Sequence, residues 1–223
     1  MLSVLPACVV QRAEQPPDLA SSWDSPDWRD VPAIDVASFH PLSSSHQPRT
    51  QVKVLYDSHG LYHHFQVHDR YVLARQLGYQ GPVFDDSCVE FFTAPHDRSY
   101  FNFEFNCGGA MLLHHIQCDG SARELVSDHW LDRITIRTTL PRQVDPQIDE
   151  PITWRLACFI PIKLIQAYTG PLGEQTPAPG VQWRSNWFKC ASRSTHPHWA
   201  AWADVGLPLN FHQVDRFGLM QFA

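Results

Sequence analysis

No stretch of the 223-residue chain approaches the roughly 18 consecutive apolar residues that a membrane-crossing helix needs. No membrane partner is expected. Basic residues are scarce: Lys and Arg number 17 against 23 Asp and Glu, the formal charge is −6, and no Lys/Arg run occurs. A phosphate backbone is held by clustered cations, so nucleic acid is not an expected partner either. There is no Cys-x-x-Cys pair, which excludes a zinc ribbon or a thioredoxin motif and leaves Cys8, Cys88, Cys107, Cys118, Cys158 and Cys190 as scattered free thiols. Gly-x-Ser-x-Gly is missing, so the nucleophile of an α/β-hydrolase is absent. Met1 to Val10 is mildly apolar but lacks a cationic n-region and an export cleavage pattern, and the expectation is a cytoplasmic protein. Helical periodicity is nearly absent as well.

What remains is strand. Eighteen prolines and eleven glycines divide the chain into short segments, many of which alternate apolar and polar residues. Val52 to Tyr56, the turn Asp57-Ser58-His59-Gly60 and Leu61 to Val67 read as a hairpin in which Leu61, His63, Phe65 and Val67 face a core and Tyr62, His64, Gln66 and His68 face water. Tyr100 to Asn106 alternates most regularly: Phe101, Phe103 and Phe105 point one way, and Tyr100, Asn102, Glu104 and Asn106 the other. Cys107-Gly108-Gly109 turns that strand into Ala110 to Ile116. Further strands are predicted at Cys88 to Thr93, Arg133 to Thr139, Thr153 to Ile160, Trp183 to Cys190 and Phe217 to Phe222. One short helix is predicted after Pro161, from Ile162, Leu164, Ile165 and Tyr168, stopped at Gly170-Pro171. Residues 43–50 and 169–181 read as loops, and residues 1–22 as an irregular N-terminal extension of a single domain spanning 1–223. The pattern predicts an all-β fold: an antiparallel β-sandwich, jelly-roll or immunoglobulin-like, with one short helix.

Thirteen histidines raise the question of a metal centre. His63-His64 and His114-His115 are adjacent pairs, and neighbours on a strand point to opposite faces, so neither pair supplies two ligands to one ion. His196-Pro197-His198 lacks a third ligand. Asp85-Asp86 are hard donors near a strand end and suit calcium, without the regular spacing of a calcium loop. Glu90 and Glu104 sit on two strands and admit a glycosidase carboxylate pair. The strongest composition signal is aromatic residues beside hydrogen-bonding groups, in Trp183-Arg184-Ser185-Asn186-Trp187-Phe188-Lys189 and His198-Trp199-Ala200-Ala201-Trp202. A pyranose presents a C–H face and a rim of hydroxyls, which such groups complement.

Phe84-Asp85-Asp86-Ser87-Cys88-Val89-Glu90-Phe91-Phe92, then Tyr100 to Gly109, Trp183 to Cys190, and Asn210-Phe211-His212 with Arg216-Phe217-Gly218, together resemble carbohydrate-binding module family 9, within the DOMON-like β-sandwich group. The resemblance implies a non-catalytic saccharide-binding protein in which a sugar or chain end lies between two aromatic rings and is held by carboxylate and amide side chains, with calcium as a structural ion. Carried over by position, it makes Phe84 one ring and Glu90, Glu104 and Asn106 the hydrogen-bonding floor, with Arg184 and Asn186 beside them and Trp187 or Trp202 as the second ring. Phe84 departs from the Trp that the characterised modules carry there. Asp85 and Asp86 are the residues for calcium. Three rival readings stay open: a glycoside hydrolase using Glu90 and Glu104; a haem-binding module, for which Met111 with a histidine is the main option among three methionines; and an interaction protein whose cleft is occupied by a partner or by its own loop, such as Thr169 to Val181.

Overall fold

The computed structural model describes residues 5–223. In chain order its strands are β1 (Ala7–Arg12), β2 (Ile34–Asp35), β3 (Ser38–Phe39), β4 (Arg49–Tyr56), β5 (Gly60–Asp69), β6 (Val72–Ala74), β7 (Cys88–Ala94), β8 (Ser99–Asn106), β9 (Met111–Gln117) and β10 (Arg123–Leu125). The helix α1 (Asp128–Leu131), the strands β11 (Thr135–Thr138), β12 (Val144–Ile148) and β13 (Ile152–Pro161), and the helix α2 (Ile162–Thr169) follow. The chain closes with β14 (Gln182–Cys190), β15 (Trp199–Ala201) and β16 (Gly218–Phe222).

Apart from β6 and β12, which pair in a small sheet of their own, the strands form the two layers of a β-sandwich. One runs β10-β9-β8-β7-β14-β16, with β15 and β3 alongside β14; the other runs β4-β5-β13-β11, with β2 on β4. The strand β1 belongs to both. Its first residues pair with β16 (Ala7 with Leu219 through Val10 with Phe222), and Gln11 and Arg12 pair with Leu55 and Tyr56 of β4. Both pairings are parallel, in a fold whose other main ladders are antiparallel. The segment read as an irregular extension thus holds a strand: Ala7 to Val10 extend the β16 edge of one layer and Gln11 and Arg12 the β4 edge of the other, a stronger organiser than the weak local alternation that the sequence offers.

The core lies between the layers. Period-two geometry sends Val89 and Phe91 of β7, Phe101, Phe103 and Phe105 of β8, Met111 and Leu113 of β9, and Trp183 and Trp187 of β14 toward Val52, Val54, Leu61, Phe65, Trp154 and Leu156 of the other layer. His63 joins them at a ring-centre distance of 4.3 Å from Phe91, with neither ring nitrogen hydrogen-bonded among the described residues, and burial pushes its pKa down to about 3, so it is neutral. A charge is also buried here. Lys189 Nζ lies 2.7 Å from His198 Nε2 and 3.6 Å from Asp69, whose other carboxylate oxygen meets His46 Nε2 at 2.7 Å.

Two expectations need correction. The hairpin face of Tyr62, His64 and Gln66 is covered rather than wet, because the segment before β2 folds over it. Trp23 and Trp28 stand edge-on to His64 at 5.3 and 5.1 Å, and the Lys53 ammonium donates to their two carbonyls at 3.1 and 2.8 Å. There are also two α-helices among the described residues. The expected one, α2, starts from Pro161 and ends at Gly170, which adopts the left-handed φ of 78° that glycine tolerates; the four-residue α1 is too short for a periodicity to announce it.

Candidate functional site

The outer face of the β10-to-β16 layer is where polar residues gather. Because Glu90 of β7 pairs directly with Glu104 of β8, and Phe188 of β14 with Glu90, one row across this face reads Phe188, Glu90, Glu104, with Leu112 beyond it on β9. Most of the face is roofed. Phe211, Val214 and Phe217 from the chain before β16 cover Phe92, Tyr100 and Phe188, and Val83 from the turn before β7 covers Cys88 and Leu112. Between these two roofs a cavity of about 330 Å³ remains open, with Glu90, Glu104 and Cys190 in it and Phe84, Trp199, Phe211, Asn210, His212 and Arg123 around it.

Local structure sets each wall. Phe84 sits in a one-turn 3-10 segment, Val83–Asp85, and is 40% exposed, unusual for a large apolar ring. Its carbonyl accepts from Ser192 N at 3.1 Å, which ties this turn to the end of β14. Trp199 pairs with Cys190 across β14 and β15 and donates its indole N–H to Ser192 Oγ at 3.2 Å, leaving its ring half-buried at the opening. Phe211 stacks on Phe188 at 4.1 Å with 14° between the ring planes. His212 Nδ1 and the Tyr100 hydroxyl share a hydrogen bond of 2.9 Å, and burial, followed by the Arg123 charge, pushes the His212 pKa down to about 4.

The floor holds two carboxyl groups that resist ionisation. Glu104 Oε1 accepts from Asn102 Nδ2 at 2.7 Å, while Oε2 is buried with no hydrogen-bond partner among the described residues. Burial outweighs that bond and the Arg123 charge and raises Glu104 to about 7. Glu90 lies well above the carboxylate range through burial, the neighbouring Cys190 thiol and Glu104. Cys190 Sγ donates to Glu90 Oε1 at 3.0 Å. Around neutral pH the pair holds a proton, so the floor offers both hydrogen-bond donors and acceptors under a rim of rings.

Of the residues singled out from the sequence, the structure brings Phe84, Glu90 and Glu104 together in this cavity. Asn106 and Asn186 lie on the same face but are consumed elsewhere. Asn106 donates to the Gln76 carbonyl and to Asp86 and accepts from Gly108 and Ala110, fixing the turn after β8. Asn186 exchanges two hydrogen bonds of 2.9 Å with the Ala203 backbone and so anchors the chain after β15. Trp187 has the opposite parity and is fully buried in the core, with Trp202 edge-on to it at 5.1 Å, so neither ring reaches the cavity. Arg184 is exposed on the outer face but lines grooves beside Asp97, away from Glu90. The rings missed were Trp199 and Phe211. The first has a sequence signal, since on His198 to Trp202 the residues 199 and 202 fall on opposite faces, and only one can share the face of Cys190.

Asp85 and Asp86 do not fit calcium, which needs six to eight converging oxygens. Asp86 Oδ2 accepts from Arg75 N, Gln76 N and Asn106 Nδ2 at 3.0, 2.9 and 2.8 Å, and Asp85 turns to Arg193 at 3.7 Å. Met111, the haem option, is buried in the core.

The model for Carbohydrate-binding family 9 matches residues 27–222. The chain belongs to that family. Its fold is shared with a protein of Bacteroides uniformis ATCC 8492 proposed to bind carbohydrate, at 22% identity and a TM-score of 0.86 over 98% of this chain and 100% of that one. A family 9 module from Caldicellulosiruptor kristjanssonii in complex with cellotriose gives 15% identity and a TM-score of 0.62 over 97% of this chain and 93% of that one. A family 9 module of the same organism in complex with glucose gives 14% and 0.60, over 98% and 96%. No curated protein matches the chain in sequence. At these identities the solved structures speak to the fold, and family 9 membership rests on the sequence match.

Proposed function

We propose that this family 9 protein binds a saccharide, without catalysis, in the cavity between Phe84 and Trp199. The observation that carries the reading is the combination of half-exposed aromatic rings at the mouth with Glu90 and Glu104 side by side on the floor. Rings there stack on the apolar C–H face of a pyranose, and the carboxyl pair, Arg123 and Asn210 address its hydroxyls. A volume of about 330 Å³ accommodates a sugar unit with part of its neighbour, at the small end of ligand cavities. Saccharides bound to family 9 modules of C. kristjanssonii support the ligand class. Binding fits this geometry better than hydrolysis does: the two carboxyls rise from adjacent strands of one floor, whereas glycosidase carboxylates flank the scissile bond.

Isothermal titration with glucose, cellobiose and cellotriose is the test, with Glu90→Ala as the informative variant. Loss of a buried hydrogen bond that leaves a sugar hydroxyl unpaired weakens binding by about 1–3 kcal/mol. A panel of mono- and oligosaccharides that gives no heat and no thermal shift with the folded protein overturns the reading, and unchanged affinity in Glu90→Ala removes that residue from the site.

A further inference from the structure

Beneath the cavity, two sulfurs and a carboxylate converge in a way that sugar binding does not require. Cys88 and Cys190 are direct cross-strand partners on β7 and β14, and Glu90 lies two residues from Cys88 on the same face. One ligand atom from each of the three lies within 4.8 Å of the others, all three are buried, and Cys190 Sγ is 3.0 Å from Glu90 Oε1. Cys107 and Cys158, the other fully buried thiols, belong to no such group of three among the described residues. The surrounding side chains, Val83, Ala110 and Leu112, are apolar, and an apolar trio would fill the same space without burying an acid.

We propose that Cys88, Cys190 and Glu90 form a binding site for a thiophilic divalent cation of the zinc class, with its fourth coordination position toward the cavity. The sizes agree. Zinc–sulfur bonds of about 2.3 Å and zinc–oxygen bonds of about 2.0–2.2 Å place tetrahedral donors about 3.3–3.8 Å apart, between the 3.0 Å of Cys190 Sγ to Glu90 Oε1 and the 4.8 Å within which all three donor atoms lie. The donors are chemically selective, because thiolates favour zinc over calcium or magnesium. Two of the three groups, Glu90 and Cys190, border the cavity whereas Cys88 does not, so a fourth ligand enters from the cavity side. Three protein ligands with one position left for water or a hydroxyl is the pattern of an open zinc site. Loading displaces the two thiol protons, and the proton that the Glu90 carboxyl carries, to solvent and leaves both sulfurs unoxidised.

The ion can be read without any sugar, so this proposal and the saccharide reading fail separately. The full chain, reduced, stripped of metal by a chelator and kept under inert gas, is titrated with Co²⁺. The expected result is a sulfur-to-cobalt charge-transfer absorption with tetrahedral visible bands, saturating at one ion per chain and abolished by excess Zn²⁺. Cys88→Ser and Cys190→Ser each lose most of the charge-transfer intensity, Glu90→Gln weakens binding at least tenfold, and Cys118→Ser, at an exposed thiol, leaves the spectrum unchanged. No charge-transfer absorption, or a band that survives Cys88→Ser, overturns the site. Should the serine variants misfold, X-ray absorption on the zinc-treated native chain decides: two sulfurs in the first shell support the site, and an all-oxygen or nitrogen shell refutes it. Sugar titration of the same metal-free sample tests the saccharide reading on its own.

Discussion

Glutamine in place of Glu104 isolates the cost of a buried carboxylate. In the folded chain Glu104 holds its proton up to about pH 7, against 4.5 for an unperturbed carboxyl, because burial disfavours its charged form. Between those two values the native state binds more protons than the unfolded state, so stability falls as pH rises; it is fully present below about 4.5 and lost by the time the folded group has ionised. At 1.36 kcal/mol per pH unit the interval corresponds to roughly 3 kcal/mol. Glu104→Gln keeps an oxygen for Asn102 Nδ2 and carries no charge, so it lacks this loss. Buried histidines act in the opposite direction: His63 and His64, pushed down by burial to about 3 and 4, lose stability as pH falls below 6.5. They are common to both chains and cancel in the difference. Urea unfolding followed by tryptophan fluorescence, run from about pH 5 to about pH 8, therefore gives a variant that gains on the native chain by about 2–3 kcal/mol across the range. A difference that stays flat with pH refutes the burial of Glu104 as a chargeable group, and with it the shared proton on the cavity floor.

Other outcomes follow from the placement of the aromatic and charged residues. Trp199→Ala weakens saccharide affinity by about 1–2 kcal/mol through lost stacking, whereas Trp202→Ala leaves affinity within error; calorimetry on both variants separates the rings, and equal losses would dismiss Trp199 as the second ring. Trp187→Ala destabilises the fold by about 3–5 kcal/mol, the cost of a large core cavity, measured as a shift in urea midpoint. Lys189→Met leaves Asp69 charged and buried without its ammonium and costs about 3–5 kcal/mol; the double variant with Asp69→Asn costs less than the two single changes added together, as a double-mutant cycle reports.

The β-class of the fold and the floor of the cavity could be read from the sequence because both are local. Alternation alone assigns Phe101, Phe103 and Phe105 to one face and Glu104 to the other, and the hairpin around Asp57 to Gly60 fixes its own register. The family 9 resemblance pointed to Phe84 and Glu90, which line one cavity. Aromatic density points to Trp187, but parity does not: Glu90 faces Phe188 across the ladder, so on β14 only even-numbered residues share its face, and Trp187 is buried in the core. Asn106 and Asn186 were on the correct face, yet their amides close loops, a use that depends on where Gln76 and Ala203 arrive in space. The strand β1 and the covering of His64 by Trp23 and Trp28 depend on contacts distant in sequence, which no window of neighbouring residues reports. Arg123 and Phe211 likewise enter the cavity from segments with no local pattern of their own.

The sharing of β1 between the layers has a kinetic consequence. Its first four residues find their ladder only on β16, at the far end of the described chain, so residues at one end of the domain wait for those at the other before the seam between the layers can close. Such closure carries the largest loop entropy in the chain. A nascent or truncated polypeptide ending before Gly218 would keep the Val10 seam unzipped and leave an edge of each layer free to recruit strands from other molecules.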